Sequence, residues 1–447
     1  MYLLSFMDRG NIGNAKLDGL MTQLNLTGDR YNIALAMYFV SYCFFEAPSN
    51  LIIQVIPPSR WLPGIMVIWG LAMMLMGFVT TYPQLVAVRF CLGVAEAGLY
   101  PGVTYYYTFW YPRYKYQFHL ALFSGASAAA GAFSGLLAFA IDFMNGDGGL
   151  EGWSWIFILE GIATVVIGGI AFLVMVDYPS TAKFLSPEER AYVIQKQRCD
   201  AAVNQEDHMA QQVWAAFTDW QVWSVALLQL TISGPSYGIT YFLPTIINNF
   251  GYSTSITQLL TIPPYVLATI VLLVFAHYSD KCGMRSPFIF ASQFIALAGY
   301  AINISNASSG VKYFGIYLCV IGSYAASPGC VSWMANNLGG KYKRAIGVAL
   351  EVTMGNVGGA IACNIFRTQD EPRYIPGFGV EMALLCLGLV INPIIALTYK
   401  RINARRDAAA RDAGVREKEG DRTGLPDKGV EVGEFLGDRA PTFRYTH

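Results

Sequence analysis

The sequence predicts an all-α polytopic membrane protein with twelve transmembrane helices arranged as two halves of six. Of its 447 residues, 54% are hydrophobic and only 13% are charged, whereas about 25% of the residues of soluble proteins are charged. Apolar runs of about 20 residues, long enough to cross a bilayer as helices, recur along the chain. A polar stretch at 177–219 separates the first six runs from the last six.

The predicted transmembrane segments are numbered span 1 to span 12 in chain order. They cover residues 1–18, 30–56, 61–80, 84–110, 117–141, 153–176, 220–246, 257–277, 287–305, 311–334, 344–366 and 379–400. These segments define four expected regions of the chain. They are an N-terminal six-helix half (1–176), a cytoplasmic connector (177–219), a C-terminal six-helix half (220–400) and a cytoplasmic tail (401–447).

The connector and the tail are the two polar regions expected outside the bilayer. In the connector, Ser186, Pro187 and Glu189 follow the pattern of an N-cap, a first-turn proline and a capping box. Trp214 and the aromatic residues after it indicate a short helix at the membrane surface that leads into span 7. The tail is charged and contains Gly and Pro, so we expect it to be solvated, with helix through Arg411.

Span 1 is too short on its N-terminal side. Only a short apolar stretch precedes the charged pair Asp8–Arg9, whereas a pair at mid-depth needs about ten apolar residues on either side to cross the bilayer core. We therefore expect helix 1 to be truncated at its N-terminus, so that the chain begins inside its first transmembrane helix. A short re-entrant segment is the alternative.

Lysine and arginine are distributed unequally between the loops at the two ends of the spans. With the N-terminus inside, the inner loops carry Arg60, Arg113, Lys115, Lys281, Arg285, Lys341, Lys343, Arg344, Lys400 and Arg401. The outer loops carry Lys16, Arg30, Lys312, Arg367 and Arg373. Because positive loops stay in the cytoplasm, this bias predicts that both termini are cytoplasmic. The expected location is the plasma membrane.

Four ionisable side chains lie away from the ends of spans 1 and 4, at a depth where an unpaired charge costs several kcal/mol and so marks a functional site by default. They are Asp8, Arg9, Arg89 and Glu96. In a straight helix Arg89 and Glu96 would share one face with Tyr100 and stand about 10 Å apart. Two acids and two arginines at this depth predict a pathway for an ion and a substrate.

The segment AHYSDKCGMR (276–285) after span 8 matches the offsets of G-x-x-x-D-R-x-G-x-R, the cytoplasmic loop signature of the major facilitator superfamily. Its matching positions are Asp280, Lys281, Gly283 and Arg285. A degenerate copy follows span 2, with Gln54 in place of the acid and Pro57 in place of the second glycine. Copies half a chain apart are expected when two six-helix halves repeat. The resemblance implies that such loops hold one conformation closed.

Four further stretches resemble the anion:cation symporter family, particularly its fungal allantoate-permease-like branch. They are LSFMDRGNIGNA (4–15), FEAPSN (45–50), RFCLGVAEAGLYPG (89–102) and WSWIFILEG (153–161). The resemblance covers nearly the whole chain and implies the major facilitator fold. It also implies transport of a small organic anion, commonly a carboxylate, together with protons. By this resemblance Asp8 and Glu96 are the proton-coupling candidates, and Arg9 and Arg89 are the cations that bind substrate.

The physics of anion uptake is consistent with that pattern. An anion entering a cell works against about 2.3 kcal/mol per charge per 100 mV, which a co-transported proton cancels. Our hypothesis is that the arginines alternate between the acids and the substrate, because arginine stays charged and can hold a carboxylate bidentately. A structural ion-pair network that only positions spans 1 and 4 is the alternative.

The C-terminal half contributes neutral polar candidates for substrate binding. In span 7 Gly234–Pro235 is expected to break the helix, with Tyr237 and Tyr241 on one face. An ordinary kink with packed tyrosines is the alternative. Asn336 in span 10 and Asn356 in span 11 are further candidates, with contacts between helices as the alternative. The GNVGG run at 355–359 is expected to serve close helix packing.

Three other acids lie within apolar spans. Glu46 in span 2 and Glu160 in span 6 are expected to form structural pairs. Glu351 in span 11 is compatible with a lining of the inner cavity or an extra proton site, and the sequence does not decide between them.

The sequence therefore predicts a monomeric secondary transporter in the lipid bilayer. It would take up a small organic anion, such as nicotinate, allantoate or a related vitamin or ureide, with protons. An exporter of acidic metabolites and a non-cycling nutrient sensor are the alternatives. No nucleophile–base pair, metal triad or cofactor loop indicates an enzyme, a metal or a cofactor. A net charge of zero provides no electrostatic basis for binding nucleic acid.

Overall fold

The structure is a computed structural model that describes residues 1–110, 113–182, 184–201, 209–371, 373–423, 438 and 443–446. The regular elements of these residues are all helical. This is expected in lipid, where each backbone polar group must find its partner within its own segment. Four side chains used in the sequence arguments lie outside the described residues, namely those of Gln54, Arg113, Lys115 and Lys341.

The helices follow the order of the predicted spans. Span 1 is Tyr2–Ala15, continued by a π-helical turn at Lys16–Leu20 and a short turn at Met21–Gln23. Spans 2 to 6 are Arg30–Val55, Pro58–Met76, the pair Tyr82–Glu96 and Leu99–Trp110, Arg113–Asp142 and Gly152–Val174. The connector contains Pro187–Ala201 and Met209–Thr218. Spans 7 to 12 are Trp220–Asn248, Thr254–Cys282, Ser286–Ile304, Ser309–Asn337, Lys341–Ile365 and Ile375–Thr423.

Nine helices within the described ranges are long and apolar enough to cross a membrane by length and composition. They correspond to spans 3 to 6 and 8 to 12. Spans 1, 2 and 7 fall outside this set. These three helices carry polar side chains that are buried in the bundle, including Asn11, Asn14, Asn32, Gln229 and Ser233. Inside the bundle these polar groups can find partners other than lipid.

Helix contacts follow the twofold repeat predicted from the sequence. Within the first half, span 1 packs on spans 5 and 6, span 2 on span 4, and span 3 on span 6. Six spans later, span 7 packs on spans 11 and 12, span 8 on span 10, and span 9 on span 12. Between the halves, span 5 packs on span 8, and the equivalent pair after exchange of the halves, span 11 with span 2, is also in contact. Span 1 contacts its own equivalent, span 7. Such a pattern is typical of transporters built from internal repeats.

Span 4 is not the straight helix that the sequence analysis assumes. It breaks at Ala97 and Gly98, between Glu96 and Leu99. The ring of Pro101 accounts for this, because a proline clashes with the carbonyl group four residues before it. Tyr100 lies beyond this break but, like Glu96, contacts span 1. Its ring lies 5.8 Å from both Tyr2 and Phe123, between centroids.

Span 7, by contrast, is continuous where a break was expected. One helix runs from Trp220 to Asn248 with Pro235 inside it, so the predicted break is wrong. Membrane helices tolerate proline within a packed bundle, and span 9 contacts span 7 at this point, where Tyr300 donates a hydrogen bond to the carbonyl oxygen of Pro235 at 2.9 Å. The predicted common face of Tyr237 and Tyr241 is confirmed, because their rings stack with centroids 6.2 Å apart.

Glycines allow two of the helix pairs to approach closely. A Cβ atom at Gly161 of span 6 would lie 2.5 Å from the backbone nitrogen of Met74 in span 3. A Cβ atom at Gly358 would lie 2.9 Å from the carbonyl oxygen of Leu230. The second contact confirms the packing role expected for the GNVGG run, since small residues let membrane helices pack backbone to backbone.

The connector helices agree with the sequence. The backbone N–H of Ser186 donates to the Glu189 carboxylate at 2.9 Å, and the N–H of Glu189 donates to the Ser186 hydroxyl at 3.2 Å. The predicted capping box is thereby confirmed. The second connector helix, Met209–Thr218, exposes 70% of Trp214, as expected of an aromatic residue at a membrane surface.

The two halves are joined at the end of the bundle that the sequence predicts to face outward, here called the predicted outer end. Four pairs connect them: Lys16 with Glu371 at 3.6 Å, the Asn32 amide with the Phe366 carbonyl at 3.0 Å, Gln258 with Asp18 at 2.9 Å, and Ser255 with Asp142. The opposite end, which carries the connector, is called the predicted inner end. The contacts at the predicted outer end close the centre of the bundle from that side.

The end of the tail departs from the sequence prediction. Tyr445 is only 4% exposed, and Asp438 is also buried. The expectation of a solvated tail is therefore wrong for these residues, because their side chains find partners at the predicted inner end of the C-terminal half. The helix of span 12 also continues beyond Arg411, to Thr423.

Candidate substrate and proton site

An ion pair between spans 1 and 4 forms the centre of the candidate site. Nη2 of Arg9 lies 2.7 Å from Oε1 of Glu96, and both side chains are buried. The same carboxylate accepts hydrogen bonds from the Ser5 hydroxyl and, at 2.8 Å, from the Tyr38 hydroxyl. Three donors thus converge on Glu96, and donors to both oxygens favour the ionised carboxylate.

Aromatic rings enclose the Arg9 guanidinium. Its Cζ lies 5.0–5.7 Å from four ring centroids, those of Phe6, Tyr38, Tyr42 and Tyr237. Its Nη1 donates to the Tyr237 hydroxyl at 2.7 Å. Cation–π contacts of this kind strengthen when water is excluded. Arg9 therefore links the N-terminal half to span 7 of the C-terminal half.

Arg89 is buried without a carboxylate partner. Its side chain is 1% exposed, and its Cζ lies 5.9 Å from the ring centroid of Phe157. Its Nε and Nη2 atoms have no hydrogen-bond partner, and the ion pairs of the described residues do not include it. A buried charge without a partner is costly. Arg89 is thus a buried cation without a carboxylate partner among the described residues.

Asp8 faces away from the ion pair, although it adjoins Arg9 in sequence. Its Oδ2 accepts hydrogen bonds from Trp69 at 3.0 Å and Thr164 at 2.9 Å, whereas its Oδ1 has no partner. Consecutive residues of a helix point about 100° apart, so one of the pair must face spans 3 and 6 when the other faces span 4. Asp8 therefore makes no direct contact with the Arg9–Glu96 pair, although the sequence analysis placed all four ionisable groups on one pathway.

The neutral candidates of the C-terminal half are only partly brought together. Tyr237 contacts Arg9 directly, and its hydroxyl donates to Oδ1 of Asn356 at 3.5 Å, so Tyr237 links Asn356 to Arg9. Tyr241 is buried one turn further along span 7. Asn336, however, is the second-last residue of span 10, at the predicted inner end. At 1.5 Å per residue, Asn336 lies about 18 Å along span 10 from Tyr324, which lines the narrow cleft described below.

The conformational loop after span 8 is organised by contacts within itself. Arg285 donates to Ser279 at 2.9 Å and forms an ion pair with Asp280. Gly283 ends the helix with φ +65°, a conformation that favours glycine. Lys281 is exposed. These contacts fix the shape of the loop, and its role in closing the transporter stays a prediction.

The other acids within the spans have few partners. Glu46 accepts a hydrogen bond at 3.1 Å from Thr353 of span 11, and so bridges the two halves. Glu160 and Glu351 are buried, and their carboxylate oxygens have no partner in the described part of the chain. The structural pair expected for Glu160 is therefore absent. Glu381 in span 12 has the same character, and the sequence analysis overlooked it although it interrupts an apolar run.

A narrow cleft lies beside the ion pair, between spans 1, 5, 7, 8 and 10. Its lining includes Phe6, Asn14, Ser134, Thr240 and Tyr324. Phe6 also contacts the Arg9 guanidinium, so the cleft adjoins the charged cluster. Its walls are neutral and mixed in polarity, as expected of the part of a site that holds the uncharged portion of a ligand.

Sequence reasoning missed four residues that donate hydrogen bonds to Glu96 or Asp8, namely Ser5, Tyr38, Trp69 and Thr164. All four are uncharged, and nothing in a single sequence distinguishes them from other polar or aromatic residues in membrane helices. The spacing of Tyr38 and Tyr42, four residues apart, was the one available signal for a polar face on span 2.

Comparisons with known proteins place these observations in a family. The family model of the Major Facilitator Superfamily matches residues 1–363. A high-affinity nicotinic acid transporter of Saccharomyces cerevisiae is 28% identical over 450 residues, covering 100% of this chain and 82% of the relative. An uncharacterized transporter of Schizosaccharomyces pombe is 32% identical over 408 residues, covering 91% of this chain and 82% of the relative.

A solved structure shows the same fold at low sequence identity. It is that of a bacterial homologue of the human lysosomal transporter Spinster, in an inward-facing and occupied conformation. The TM-score is 0.66 at 15% identity, and the match covers 90% of this chain and 94% of the other. The predicted fold, the resemblance to fungal transporters of this kind, and the assignment as a transporter rather than an enzyme are confirmed.

Proposed function

The chain belongs to the Major Facilitator Superfamily, and from this membership we propose that it is a secondary active transporter that takes up a small organic carboxylate together with protons. The observation that carries the proposal is Arg89, a fully buried guanidinium without an ion-pair partner among the described residues. An uptake site for an anion needs such a cation. Arginine suits it, because its planar guanidinium can hold a carboxylate through two parallel hydrogen bonds.

The ion pair of Arg9 and Glu96 supports the proton-coupling part of the proposal. While Glu96 is ionised, it holds Nη2 of Arg9 at 2.7 Å. A proton on Glu96 removes this attraction and leaves Arg9 free to attract a second anionic group. Substrate binding and protonation then favour one another, which is the coupling that a symporter requires.

Asp8 and Glu160 provide a second place for a proton. Between them, three carboxylate oxygens have no hydrogen-bond partner, and both side chains are buried. Two ionised carboxylates in an apolar interior would be costly, so the physical argument favours at least one of them being protonated. Asp8 is therefore proposed as a proton site that acts separately from the Arg9–Glu96 pair.

The surroundings of Arg9 favour a flat or aromatic carboxylate as substrate. The rings of Phe6 and Tyr237 lie nearly parallel, at an interplanar angle of 11° and with centroids 6.1 Å apart. Aromatic rings stack favourably on such faces. One relative is named a high-affinity nicotinic acid transporter, which is an aromatic carboxylate carrier. We therefore propose nicotinate and related aromatic vitamin acids as the first substrates to test, ahead of the non-aromatic ureide acids such as allantoate that the sequence resemblance implies.

The proposal also includes a location and an orientation. The excess of lysine and arginine in the loops at the predicted inner end favours cytoplasmic termini. A plasma-membrane location fits uptake from outside the cell. Each chain contains its own ion pair and its own unpaired arginine, so we propose that one chain is a complete transporter.

Uptake of labelled nicotinate into proteoliposomes tests the proposal. The expected result is accumulation when the outside is at about pH 5 and the inside at about pH 7, and far less when both are at about pH 7. Replacing Arg89 with Gln should lower apparent affinity by about 10- to 150-fold, because a hydrogen bond to a charged group contributes about 1.5–3 kcal/mol. Arg60→Gln, at an exposed arginine of the predicted inner end, is the matched control.

Each alternative has its own outcome in this assay. Binding without accumulation would favour the nutrient sensor. Accumulation driven by an opposite pH gradient would favour the exporter. The proposal for an anion site is refuted if Arg89→Gln and Arg60→Gln transport with equal affinity.

A further inference from the structure

The last residues of the chain are seated in the predicted inner end of the C-terminal half. The ring of Tyr445 stacks on Tyr399 of span 12, with centroids 4.7 Å apart. Gln221, at the start of span 7, donates to its hydroxyl at 2.9 Å, and the Arg406 guanidinium lies 4.8 Å from its ring centroid. An aromatic ring held on its face, its edge and its hydroxyl is the usual form of an anchor residue in a binding site.

Two asparagines bind the backbone on either side of this anchor. Asn403 accepts from the N–H of Tyr445 at 3.0 Å and donates to its carbonyl oxygen at 2.8 Å. Asn337 accepts from the N–H of Thr446 at 2.7 Å and donates to its carbonyl oxygen at 3.1 Å. Trp333 donates to the same carbonyl oxygen at 2.9 Å. The backbone of both residues is therefore fully satisfied by side chains, as in the recognition of an extended peptide.

A buried charge cluster holds the start of the segment. Nζ of Lys343 in span 11 lies 2.7 Å from Oδ1 of Asp438 and also bonds the Asp219 carboxylate. All three side chains are buried. Asp438 thus supplies a second carboxylate to a lysine that would otherwise share only one. Arg406 donates to the carbonyl oxygens of Asp438 and Phe443, each at 2.8 Å.

We propose that this surface is a binding site for the chain's own C-terminal segment, Asp438 with residues 443–446. The segment acts as an intramolecular ligand that holds the inner ends of four helices together. The groups that bind it come from spans 7, 10, 11 and 12, namely Gln221, Trp333, Asn337, Lys343, Tyr399, Asn403 and Arg406. A C-terminal half braced in this way moves as one body, which the rocking of two halves requires.

The segment contains its own control residue. Arg444 lies between the anchors Phe443 and Tyr445, yet its side chain and that of its ion-pair partner Asp407 are 37% and 51% exposed. Exposed pairs of this kind contribute little to stability. A change at Arg444 therefore alters the same stretch of chain without touching the buried site.

Thermal unfolding of the purified full-length protein tests the proposal. Tyr445→Ala should lower the apparent unfolding temperature by about 3 °C or more, whereas Arg444→Gln should change it by less than about 1 °C. A synthetic peptide of residues 438–447, added in excess, should restore the lost stability of Tyr445→Ala by mass action. The same peptide with alanine in place of the tyrosine should not.

Equal unfolding temperatures for the two variants, or the same response to both peptides, would overturn the proposal. If Tyr445→Ala does not yield folded protein, Tyr445→Phe carries the same test. It removes only the hydroxyl that accepts from Gln221, so a smaller decrease and the same rescue are expected. None of these measurements involves transport, so their outcome is independent of the proposed function.

Discussion

Replacement of Glu96 by glutamine isolates the proposed proton switch. In the structure the Glu96 carboxylate accepts from Arg9, Ser5 and Tyr38. Glutamine has nearly the same shape, but only one of its two polar atoms accepts hydrogen bonds. It can keep its oxygen toward Arg9 and turn its amide toward Tyr38, whose hydroxyl can accept as well as donate. The variant is therefore expected to fold with Arg9 in the state that protonation of Glu96 would produce.

The expected size of the effect follows from the ion pair. Removing one partner of a buried pair costs about 3–5 kcal/mol, because the other charge is left buried without a partner, and here that charge is Arg9. In Glu96→Gln the carboxylate is absent at every pH, so Arg9 is always available to an anion and substrate affinity should no longer change between about pH 5 and about pH 7. The substrate affinity of Glu96→Gln at neutral pH should therefore rise toward the affinity that the wild-type protein shows at acid pH.

Accumulation in proteoliposomes is the decisive assay. For a monovalent anion moved with one proton, each pH unit of gradient supplies about 1.4 kcal/mol, so two units support about 100-fold accumulation. Without the proton, an inside-negative potential of about 100 mV opposes entry by about 2.3 kcal/mol, and the anion should be about 50-fold depleted inside. Glu96→Gln should therefore equilibrate the labelled substrate with the potential instead of concentrating it.

The matched control is Glu188→Gln. Glu188 is an exposed acid in the first connector helix, Pro187–Ala201. The same chemical change there should leave pH-dependent accumulation intact. If Glu96→Gln still concentrates substrate in proportion to the pH gradient, the assignment of Glu96 as a coupling residue is wrong.

Two further predictions concern stability and use the apparent unfolding temperature of purified protein without substrate. Arg9→Gln should destabilise the protein by about 3–5 kcal/mol, because it leaves buried Glu96 without its cation. Arg89→Gln should leave stability unchanged or raise it, because Arg89 has no ion pair to lose among the described residues. An equal loss of stability in both variants would contradict the description of Arg89 as unpaired. Gly161→Ala should destabilise by about 1–3 kcal/mol, since its Cβ would lie 2.5 Å from the backbone of Met74. Gly169→Ala in the same helix meets no atom within 4 Å and should be neutral, so similar values for the two would rule out the close contact of spans 3 and 6.

Predictions that depend on local chemistry or on the bilayer agreed with the structure. The capping box of Ser186 and Glu189 formed, because both of its partners lie within one turn of helix. The apolar runs became helices, because lipid offers no other partner to the backbone. The helix contacts repeat after six spans, as the copies of the loop signature indicated.

Predictions that needed the rotation of one helix against another were less successful. The sequence analysis placed Asp8 and Arg9 at one site, but the structure directs Asp8 to Trp69 and Thr164 in spans 3 and 6. The sequence analysis expected a break at Pro235 and assumed a straight helix before Pro101. In the structure the helix is continuous at Pro235 and is interrupted before Pro101. A proline breaks a helix or is tolerated according to the groups that neighbouring helices offer, and these are distant in sequence.

The sequence alone determined that this protein is a bundle of membrane helices in two related halves, with charged side chains that must be shielded from lipid. It could do so because the cost of exposing a polar group to hydrocarbon is a property of each residue and its near neighbours. Only the tertiary structure decided which charges meet. Arg9 finds Glu96 across 87 positions of sequence, whereas Arg89 finds no carboxylate within the part of the chain that the structure describes. That difference depends on distances of a few ångströms between helices, which a linear pattern does not contain.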